Sequence, residues 1–264
     1  MRVLFDGLGL QAMVHLEAGT RLRTLVSKIE AFADVIDFTI SGPLTREVIA
    51  GYDVLISTTR HPANAHAYTH EELAALRDSV KGGAGLLLMS NHGDLPGSNA
   101  VDWTRHDAAL AREFGVELER TWFENAEHGA LSSFSGESLL RGHPIIEGSG
   151  GRRVESIVVN NCSSVVRRDH DRGHALVALP PSTRDLRSER PTAARLFALA
   201  LDRSTSADVV GEGRIVVMTD SGFIGDDGSE VPGPGLIGRA DNLRFVLNVV
   251  RWLGRALPER GGRP

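Results

Sequence analysis

Four short runs dominated by apolar residues recur along the chain, and each ends abruptly in polar residues. They are RVLF at 2–5, YDVLIST at 52–58, GLLLM at 85–89 and GRIVVMTD at 213–220. A strand with one face in water alternates apolar and polar residues, whereas an unbroken apolar run is typical of a strand covered on both faces. The runs therefore predict buried strands in a sheet with helices on both sides.

Segments with helical signals alternate with these strands. Thr69 and Glu72 form a capping box, and the helix that they open is expected to end at Gly82-Gly83. Apolar spacing predicts a helix over 17–32, and DVIDFTI at 34–40 predicts another strand. Further helices are expected from Asp102 to about Phe114, with Gly115 as the stop, and from about Asp241 to Leu253. This alternation predicts an α/β sandwich with a mostly parallel sheet.

The middle of the chain has a different character. Residues 116–210 hold the short β-like pieces SIVVNNCSSVV, ALVAL and RLFALAL, separated by turns and by the charged PPSTRDLRSERPTA at 180–193. This pattern predicts a β-rich insertion whose antiparallel strands extend the sheet, together with a mobile loop. We expect one domain over 1–257 and a frayed tail at 258–264.

Composition narrows the possible functions. A formal net charge of −5 over 264 residues provides no basic surface for nucleic acid. No apolar segment is long enough to span a membrane, and residues 1–20 form no secretory leader, so we expect a cytoplasmic protein. The single cysteine, Cys162, excludes an internal disulfide and a cysteine-based metal site, and its apolar surroundings predict a buried core residue.

The order of these pieces resembles a known superfamily. The pieces that carry it are YDVLIS, THEELAALRDSVKGGAGLLLMSNH, HPIIEG, GEGRIVVMTDSGF and DNLRFVLNVVRWL, and the match spans about residues 2–254. Together they look like class I glutamine amidotransferase-like proteins, in particular the ThuA-like and gliding-motility or intraflagellar-transport-like branches. The resemblance implies a flavodoxin-like three-layer fold. It does not imply glutaminase activity, because SNHGDLPG lacks the nucleophilic cysteine of the amidotransferases and TDSGFIGDD lacks their histidine.

Polar residues follow each of the four buried runs. In open α/β sheets, ligands bind beyond the carboxyl ends of the parallel strands. We call this edge the rim, and we expect it to bring together Asp6, Gly7, Gly9, Thr59, Arg60, His61, Asn91, His92, Asp94, Asp220 and Ser221. The alternative is a purely structural edge, because turns favour Asp, Asn, Ser and Gly in any case.

Within this set, His92 is the candidate acid–base residue, with Asp94 or Asp220 as its orienting partner. Asn91 and Arg60 are expected to hold the ligand. The remaining substrate-binding candidates are Asp6, Gly7, Gly9, Thr59, His61, Ser221 and also His106, which lies in a helix whose N-terminus could face an anion at the rim. An Asx-turn with a merely hydrogen-bonded His92 is the structural alternative.

Neither a metal nor a nucleotide cofactor is expected. Asp6, His92, Asp94 and Asp220 could bind a divalent cation, but no spaced histidine motif supports this. GLGLQA at 7–12 matches the dinucleotide fingerprint, yet it lacks the following helix and the acidic residue at the end of the second strand. Gly7 and Gly9 are interpreted as a flexible loop of the rim.

These features favour an enzyme of small-molecule metabolism that catalyses a hydrolysis, elimination or isomerisation. The expected substrate is a small polar or anionic molecule, and a homo-oligomer is compatible with the sequence. A non-catalytic domain that binds a ligand or a protein partner is the alternative.

Overall fold

The structure, a computed structural model, describes residues 1–9, 21–39, 42–63, 65–125, 131–149, 151–167, 172–188, 195–227 and 235–257. Its strands are β1 (Arg2–Phe5), β2 (Val35–Phe38), β3 (Val54–Thr58), β4 (Gly85–Met89), β5 (Val116–Asn125), β6 (Leu131–Ser135), β7 (Ser156–Asn160), β8 (Cys162–Arg167), β9 (His174–Ala178), β10 (Thr183–Asp185), β11 (Leu196–Leu201) and β12 (Arg214–Met218). Its α-helices are α1 (Arg23–Ile29), α2 (Arg46–Ile49), α3 (His70–Lys81), α4 (Thr104–Glu113), α5 (Pro144–Glu147), α6 (Arg203–Val210) and α7 (Asn242–Leu253).

A single large sheet organises the fold. In the described part of the chain its order is β10-β5-β8-β11-β12-β4-β3-β1-β2, and β9 also pairs with β11. The strands β2, β1, β3, β4 and β12 are parallel, whereas β11, β8, β5 and β10 are joined by antiparallel pairing. The predicted parallel sheet with an antiparallel extension is therefore confirmed, and the carboxyl ends of β1, β3, β4 and β12 share one edge.

Two apolar layers cover the faces of this sheet. Neighbouring residues of β4 point to opposite sides, so that Leu87 joins the layer under α1 and α7 while Leu86 joins the layer under α3 and α4. Both side chains are almost completely buried. Every central strand contributes side chains to both layers, so each of these strands must be apolar throughout. This explains the unbroken apolar runs in the sequence. The result is the predicted three-layer sandwich.

Local signals place the ends of α3 and α4 close to where the sequence predicts them. Thr69 accepts a hydrogen bond from the Glu72 backbone N–H, and the Glu72 carboxylate accepts one from Thr69 N at 2.8 Å. At the start of α4, Asp102 Oδ1 accepts from Thr104 N at 3.0 Å. Gly115 follows α4 with a φ of +71°, a conformation that favours glycine.

Some expectations need correction. The segment 180–193 was expected to be a loop, but it contains β10, which pairs with β5. The strands β6 and β7 form a separate two-stranded sheet. The helix expected over 17–32 forms only over Arg23–Ile29, and residues 21–22 and 30–32 are turns. Residues 10–20 and the tail at 258–264 lie outside the described residues.

Cys162 is buried in the core, as expected, with 1% of its surface exposed. Burial, together with the neighbouring Asp220 carboxyl group, raises the pKa of its thiol well above the ordinary value. Such a thiol is a poor nucleophile.

None of the helices in the described ranges is long and apolar enough to cross a bilayer.

Candidate functional site

Arg60 lies at the centre of a buried network beneath the rim. Its Nε donates to Asp6 Oδ2 and its Nη2 to Glu72 Oε1, both at 2.8 Å, and its guanidinium lies 3.9 Å from the centre of the Tyr68 ring. The side chain of Arg60 has no exposed surface. Asp6 and Arg60 were expected to hold a ligand, but in this structure they are paired inside the protein, where Asp6 and Glu72 share the Arg60 guanidinium, because a buried charge needs a paired counter-charge.

A fully buried acid that the sequence does not single out adjoins this network. Asp107, on α4, accepts from the Arg60 backbone N–H at 3.2 Å. Burial raises its pKa to about 8, although neighbouring donors oppose the shift. Aspartate is common in the first turn of a helix, so the position of Asp107 in α4 does not indicate from the sequence that this acid is buried.

The glycines and the threonine of the predicted set have packing roles. A Cβ built on Gly7 would lie 1.6 Å from the Thr39 carbonyl oxygen, and one on Gly9 would lie 2.4 Å from Thr58 Oγ1. Thr59 is fully buried with a φ of +60°, and its Oγ1 donates to Met89 O at 3.0 Å. Close contacts hold Gly7 and Gly9, which contrasts with the flexible loop that was expected.

Asn91 and Ser221 meet across the rim. Asn91 Nδ2 donates to Ser221 Oγ at 3.1 Å, and Asn91 Oδ1 accepts from His92 N at 2.8 Å. Asn91 therefore orients the backbone of His92. This contact joins the ends of β4 and β12, as the prediction of a shared edge requires.

Asp220 is buried beside this contact. It accepts from Asn160 N at 2.8 Å and from the backbone N–H groups of Gly222 and Phe223. Burial raises its pKa to about 7, although these three donors oppose the shift. No hydrogen bond or ion pair links Asp220 to His92 among the described residues, so it is not the orienting partner.

Asp94 is also not paired with His92. Its Oδ1 accepts from Arg120 Nε at 2.6 Å and from Arg187 Nε at 2.8 Å. Partial burial opposes ionisation, but these two guanidinium groups hold the pKa of Asp94 below its ordinary value. The two arginines therefore replace the histidine as partners of this carboxylate.

A backbone carbonyl orients His92 in place of a carboxylate. His92 Nδ1 lies 2.7 Å from Gly93 O. A carbonyl oxygen can only accept, so Nδ1 carries the proton and Nε2 is the lone-pair nitrogen of the neutral ring. Burial lowers the pKa of His92, although the Gly93 hydrogen bond and the charge of Asp102 act in the opposite direction.

His92 belongs to a line of four rings that we call the aromatic row: His61, Trp103, His92 and Trp122. The ring centres are 4.1 Å apart for His61 and Trp103, 6.0 Å for Trp103 and His92, and 4.0 Å for His92 and Trp122. All four side chains are half-buried. The row holds two of the three tryptophans in the chain, and that concentration near the rim was the signal that sequence reasoning missed.

The start of α4 differs from the expected anion site. The Asp102 carboxylate already accepts from the first turn of this helix. His106 is half-buried, and its pKa is lowered by burial and by Arg105 while it bonds the backbone of Ala65. A carboxylate of the chain itself thus occupies the position expected for an external anion.

The described residues contain no group of three or more His, Cys, Asp or Glu side chains that could hold a metal ion. The alternative site at Asp6, His92, Asp94 and Asp220 is not assembled, since Asp6, Asp94 and Asp220 are directed to different partners.

No protein-family model matches the chain, and no curated protein matches it. Several solved structures share its fold. The mmIFT52 N-terminal domain has a TM-score of 0.65 and 15% identity, with 96% of this chain and 97% of that chain covered. A cytoplasmic protein from Salmonella typhimurium LT2 has a TM-score of 0.57 and 14% identity, covering 96% and 99% of the two chains.

A ThuA-like protein from Parabacteroides merdae has a TM-score of 0.53 and 13% identity, with coverage of 100% and 92%. At these identities the similarity shows the fold alone. The similarity to a ThuA-like structure agrees, at the level of the fold, with the ThuA-like part of the sequence resemblance.

Proposed function

We propose that the protein is an enzyme of small-molecule metabolism in which His92 acts as a general base through Nε2. The observation that supports this most directly is the 2.7 Å contact between His92 Nδ1 and Gly93 O. It selects the tautomer with an unprotonated Nε2, and the lowered pKa keeps the ring neutral at neutral pH. No hydrogen-bond partner of Nε2 is found within the described part of the chain.

The surroundings of His92 suit a small molecule with a flat or apolar face. Trp122 and Trp103 flank the imidazole and are half-buried, so each leaves part of an indole surface open to a ligand. Amphipathic aromatic side chains contribute large contact areas with little loss of conformational freedom. We infer that the substrate packs against the aromatic row.

Two arginines beside the row can bind an oxyanion of the substrate. Arg120 and Arg187 both use Nε to bond the same atom, Asp94 Oδ1. The Nη groups of both arginines make no hydrogen bond to any described residue. Guanidinium Nη groups bind carboxylate and phosphate well. This supports a small polar substrate with an anionic group.

In the proposed step, Nε2 of His92 takes a proton from a substrate carbon or from a water molecule. The imidazolium that forms is stabilised by the Gly93 carbonyl and by the charge of Asp102. The same proton is then returned to the product or the leaving group. A hydrolysis, an elimination and an isomerisation all contain this step.

Binding without catalysis is the second candidate, and one observation favours it. The carboxylates that could complete an acid–base pair are already engaged: Asp6 by Arg60, Asp94 by two arginines, and Asp220 by three backbone N–H groups. In that case the aromatic row and the arginines bind a ligand that undergoes no reaction.

Imidazole NMR tests the tautomer directly. We expect the neutral ring of His92 to carry its proton on Nδ1 and to titrate below the ordinary histidine pKa. A ring protonated on Nε2 would remove the proposed base.

Incubation with a metabolite mixture, followed by NMR, tests the reaction. The wild-type protein should convert a substrate, His92→Gln should bind it without conversion, and the exposed His70→Gln should behave as the wild type. Conversion by His92→Gln at the wild-type rate would contradict the catalytic role. Binding by all three proteins with no conversion would favour the second candidate.

A further inference from the structure

His61 carries its ring proton on the opposite nitrogen from His92. The backbone N–H of Ala63 donates to His61 Nδ1 at 3.0 Å. A backbone N–H can only donate, so Nδ1 is the accepting nitrogen and the proton of the neutral ring lies on Nε2. His92 has the reverse arrangement, because its Nδ1 donates to the Gly93 carbonyl oxygen at 2.7 Å. His61 therefore presents an N–H donor through Nε2, whereas His92 presents a lone pair.

The turn that follows β3 fixes this tautomer of His61. Ala65 N donates to the His61 carbonyl oxygen at 2.9 Å, and Ala63 N donates to the ring, so the turn holds both the backbone and the imidazole. A proton on Nδ1 would replace the hydrogen bond from Ala63 with a contact between two N–H groups. Burial also lowers the pKa of His61, and the ring is therefore neutral at neutral pH.

Trp103 lies between the two histidines. Its ring centre is 4.1 Å from that of His61 and 6.0 Å from that of His92, and both contacts are edge to face. Its backbone N–H donates to the His92 carbonyl oxygen at 3.1 Å, which ties the start of α4 to the end of β4. All three side chains are half-buried. A small molecule that packs against Trp103 therefore lies beside both imidazole rings.

The two Nε2 atoms form a complementary pair of groups for such a molecule. Across the described ranges, no hydrogen bond or ion pair involves Nε2 of either His61 or His92. An acceptor and a donor suit a substrate that loses a proton at one atom while negative charge develops on another. A carbonyl compound with a C–H group beside the carbonyl is such a substrate, because removal of that proton places negative charge on the carbonyl oxygen.

We propose that the substrate is a carbonyl compound and that His61 is a second catalytic residue, which donates from Nε2 to the carbonyl oxygen. Because His92 acts as the base, the inference rests on the proposed function. Nε2 of His92 removes the proton from the carbon beside the carbonyl, and the electron pair of that C–H bond forms a carbon–carbon double bond. The carbonyl electron pair moves onto the oxygen, where the His61 N–H stabilises the enolate.

This enolate narrows the class of reaction. Return of the proton from His92 to a different atom of the enolate is an isomerisation. Expulsion of a leaving group from the carbon next to the double bond is an elimination, in which the leaving group takes the proton from His92. Both courses restore the lone pair on Nε2, whereas a hydrolysis does not pass through an enolate. With an oxyanion at Arg120 and Arg187, a 2-oxo acid is the simplest substrate of this kind.

Imidazole NMR of His61 tests the donor without a substrate. We expect the neutral ring of His61 to carry its proton on Nε2, opposite to the neutral ring of His92. A proton on Nδ1 of His61 would overturn the donor role and leave the base at His92 intact.

Hydrogen–deuterium exchange in heavy water, followed by proton NMR, tests the chemistry with pyruvate, 2-oxobutyrate and 2-oxoglutarate as probes. We expect the wild-type protein to accelerate exchange beside the carbonyl of at least one probe. For that probe, His61→Leu should lower kcat by ~10²–10³-fold, the usual effect of removing an oxyanion donor, with little change in KM. His61→Gln retains an N–H donor and should recover most of the rate, and the exposed His70→Leu should behave as the wild type.

The outcomes separate this role of His61 from the proposed base. Exchange by His61→Leu at the wild-type rate, with loss of exchange in His92→Gln, would overturn the role of His61 alone. Exchange by His92→Gln at the wild-type rate would contradict the proposed function itself. No recovery in His61→Gln would identify a packing role and overturn the donor, and no acceleration of any probe by the wild-type protein would overturn the carbonyl substrate.

Discussion

At the scale of single residues, His92 should matter more for function than for stability. It is half-buried and follows the buried strand β4 without belonging to it. His92→Ala should lower turnover by ~10²–10⁴-fold, the usual effect of losing a general base. The free energy of unfolding should fall by only about 1 kcal/mol, from lost contact with Trp122.

We would measure turnover and urea denaturation on the same preparation of His92→Ala, to compare the loss of function with the loss of stability. A loss of several kcal/mol would identify His92 as a structural residue held by hydrogen bonds.

Two buried acids should give stability an unusual dependence on pH. Burial raises the pKa of Asp107 to about 8 and that of Asp220 to about 7, above ~3.9 for an unfolded aspartate. The folded state therefore holds more protons than the unfolded state between these values. The protonated acids therefore stabilise the folded state fully below about pH 4, and this stabilisation is lost as the pH rises toward 7–8. Each group lowers the free energy of unfolding by up to ~1.4 kcal/mol per pH unit across this range.

Asp107→Asn should flatten the fall in unfolding free energy between about pH 6.5 and 8, where the wild-type Asp107 loses its proton in the folded state. Urea midpoints measured across this window would show the effect, with the exposed Asp208→Asn as the control. Parallel curves for Asp107→Asn and the wild type would mean that Asp107 is ionised in the folded protein.

Cys162→Ser should change stability and leave function intact. The thiol is buried among apolar side chains of the core, and its raised pKa makes it a poor nucleophile at neutral pH. A hydroxyl group in that position should destabilise the fold by ~1–3 kcal/mol. Ligand binding or turnover by the folded fraction should equal that of the wild type, whereas a folded but inactive variant would contradict this assignment.

At the scale of elements, α3 is tied to the sheet through one carboxylate. Glu72 accepts from Thr69 N at 2.8 Å within the helix, from Leu44 N at 3.0 Å and from Arg60 Nη2 at 2.8 Å. Thr69→Ala removes only a helix cap and should destabilise by about 1 kcal/mol. Glu72→Ala also leaves Arg60 with less compensation in the interior and should destabilise by ~3–5 kcal/mol.

Chemical denaturation of the two variants side by side distinguishes a capping effect from a buried charge effect. Equal losses would show that the ion pair between Glu72 and Arg60 contributes little to stability.

At the scale of the whole molecule, the parallel and antiparallel parts of the sheet should unfold together. The strand β11 joins them by pairing with β12 over four residue pairs, Ala198 to Leu201 with Ile215 to Met218. One apolar layer contains Phe197 of the antiparallel part together with Met89 of the parallel part. Continuous burial of this kind favours a single cooperative transition.

Tryptophan fluorescence and far-ultraviolet circular dichroism should therefore give coincident urea transitions. An early fluorescence change at constant secondary structure would instead indicate that the segment 116–210 unfolds as a separate unit.

Local chemistry determined the central strands and the start of α3. Unbroken apolar runs such as 85–89 can be stable only where both faces of a strand are covered, and the Thr69–Glu72 capping box marks a helix start within four residues. The same reasoning located the residues at the ends of the parallel strands, and therefore the region where a site could lie. All of these signals depend on neighbours in the chain.

Only the tertiary structure decided which polar groups are paired and which remain available. Asp94 and Arg187 are 93 positions apart, and Asn91 and Ser221 are 130 positions apart, yet each pair is in contact. Those contacts separate Asp94 from His92 and leave a backbone carbonyl to orient the imidazole. The aromatic row is likewise assembled from separate segments of the chain. Pairing and burial of polar groups depend on spatial neighbours from distant parts of the chain, and a pattern of adjacent residues carries no information about them.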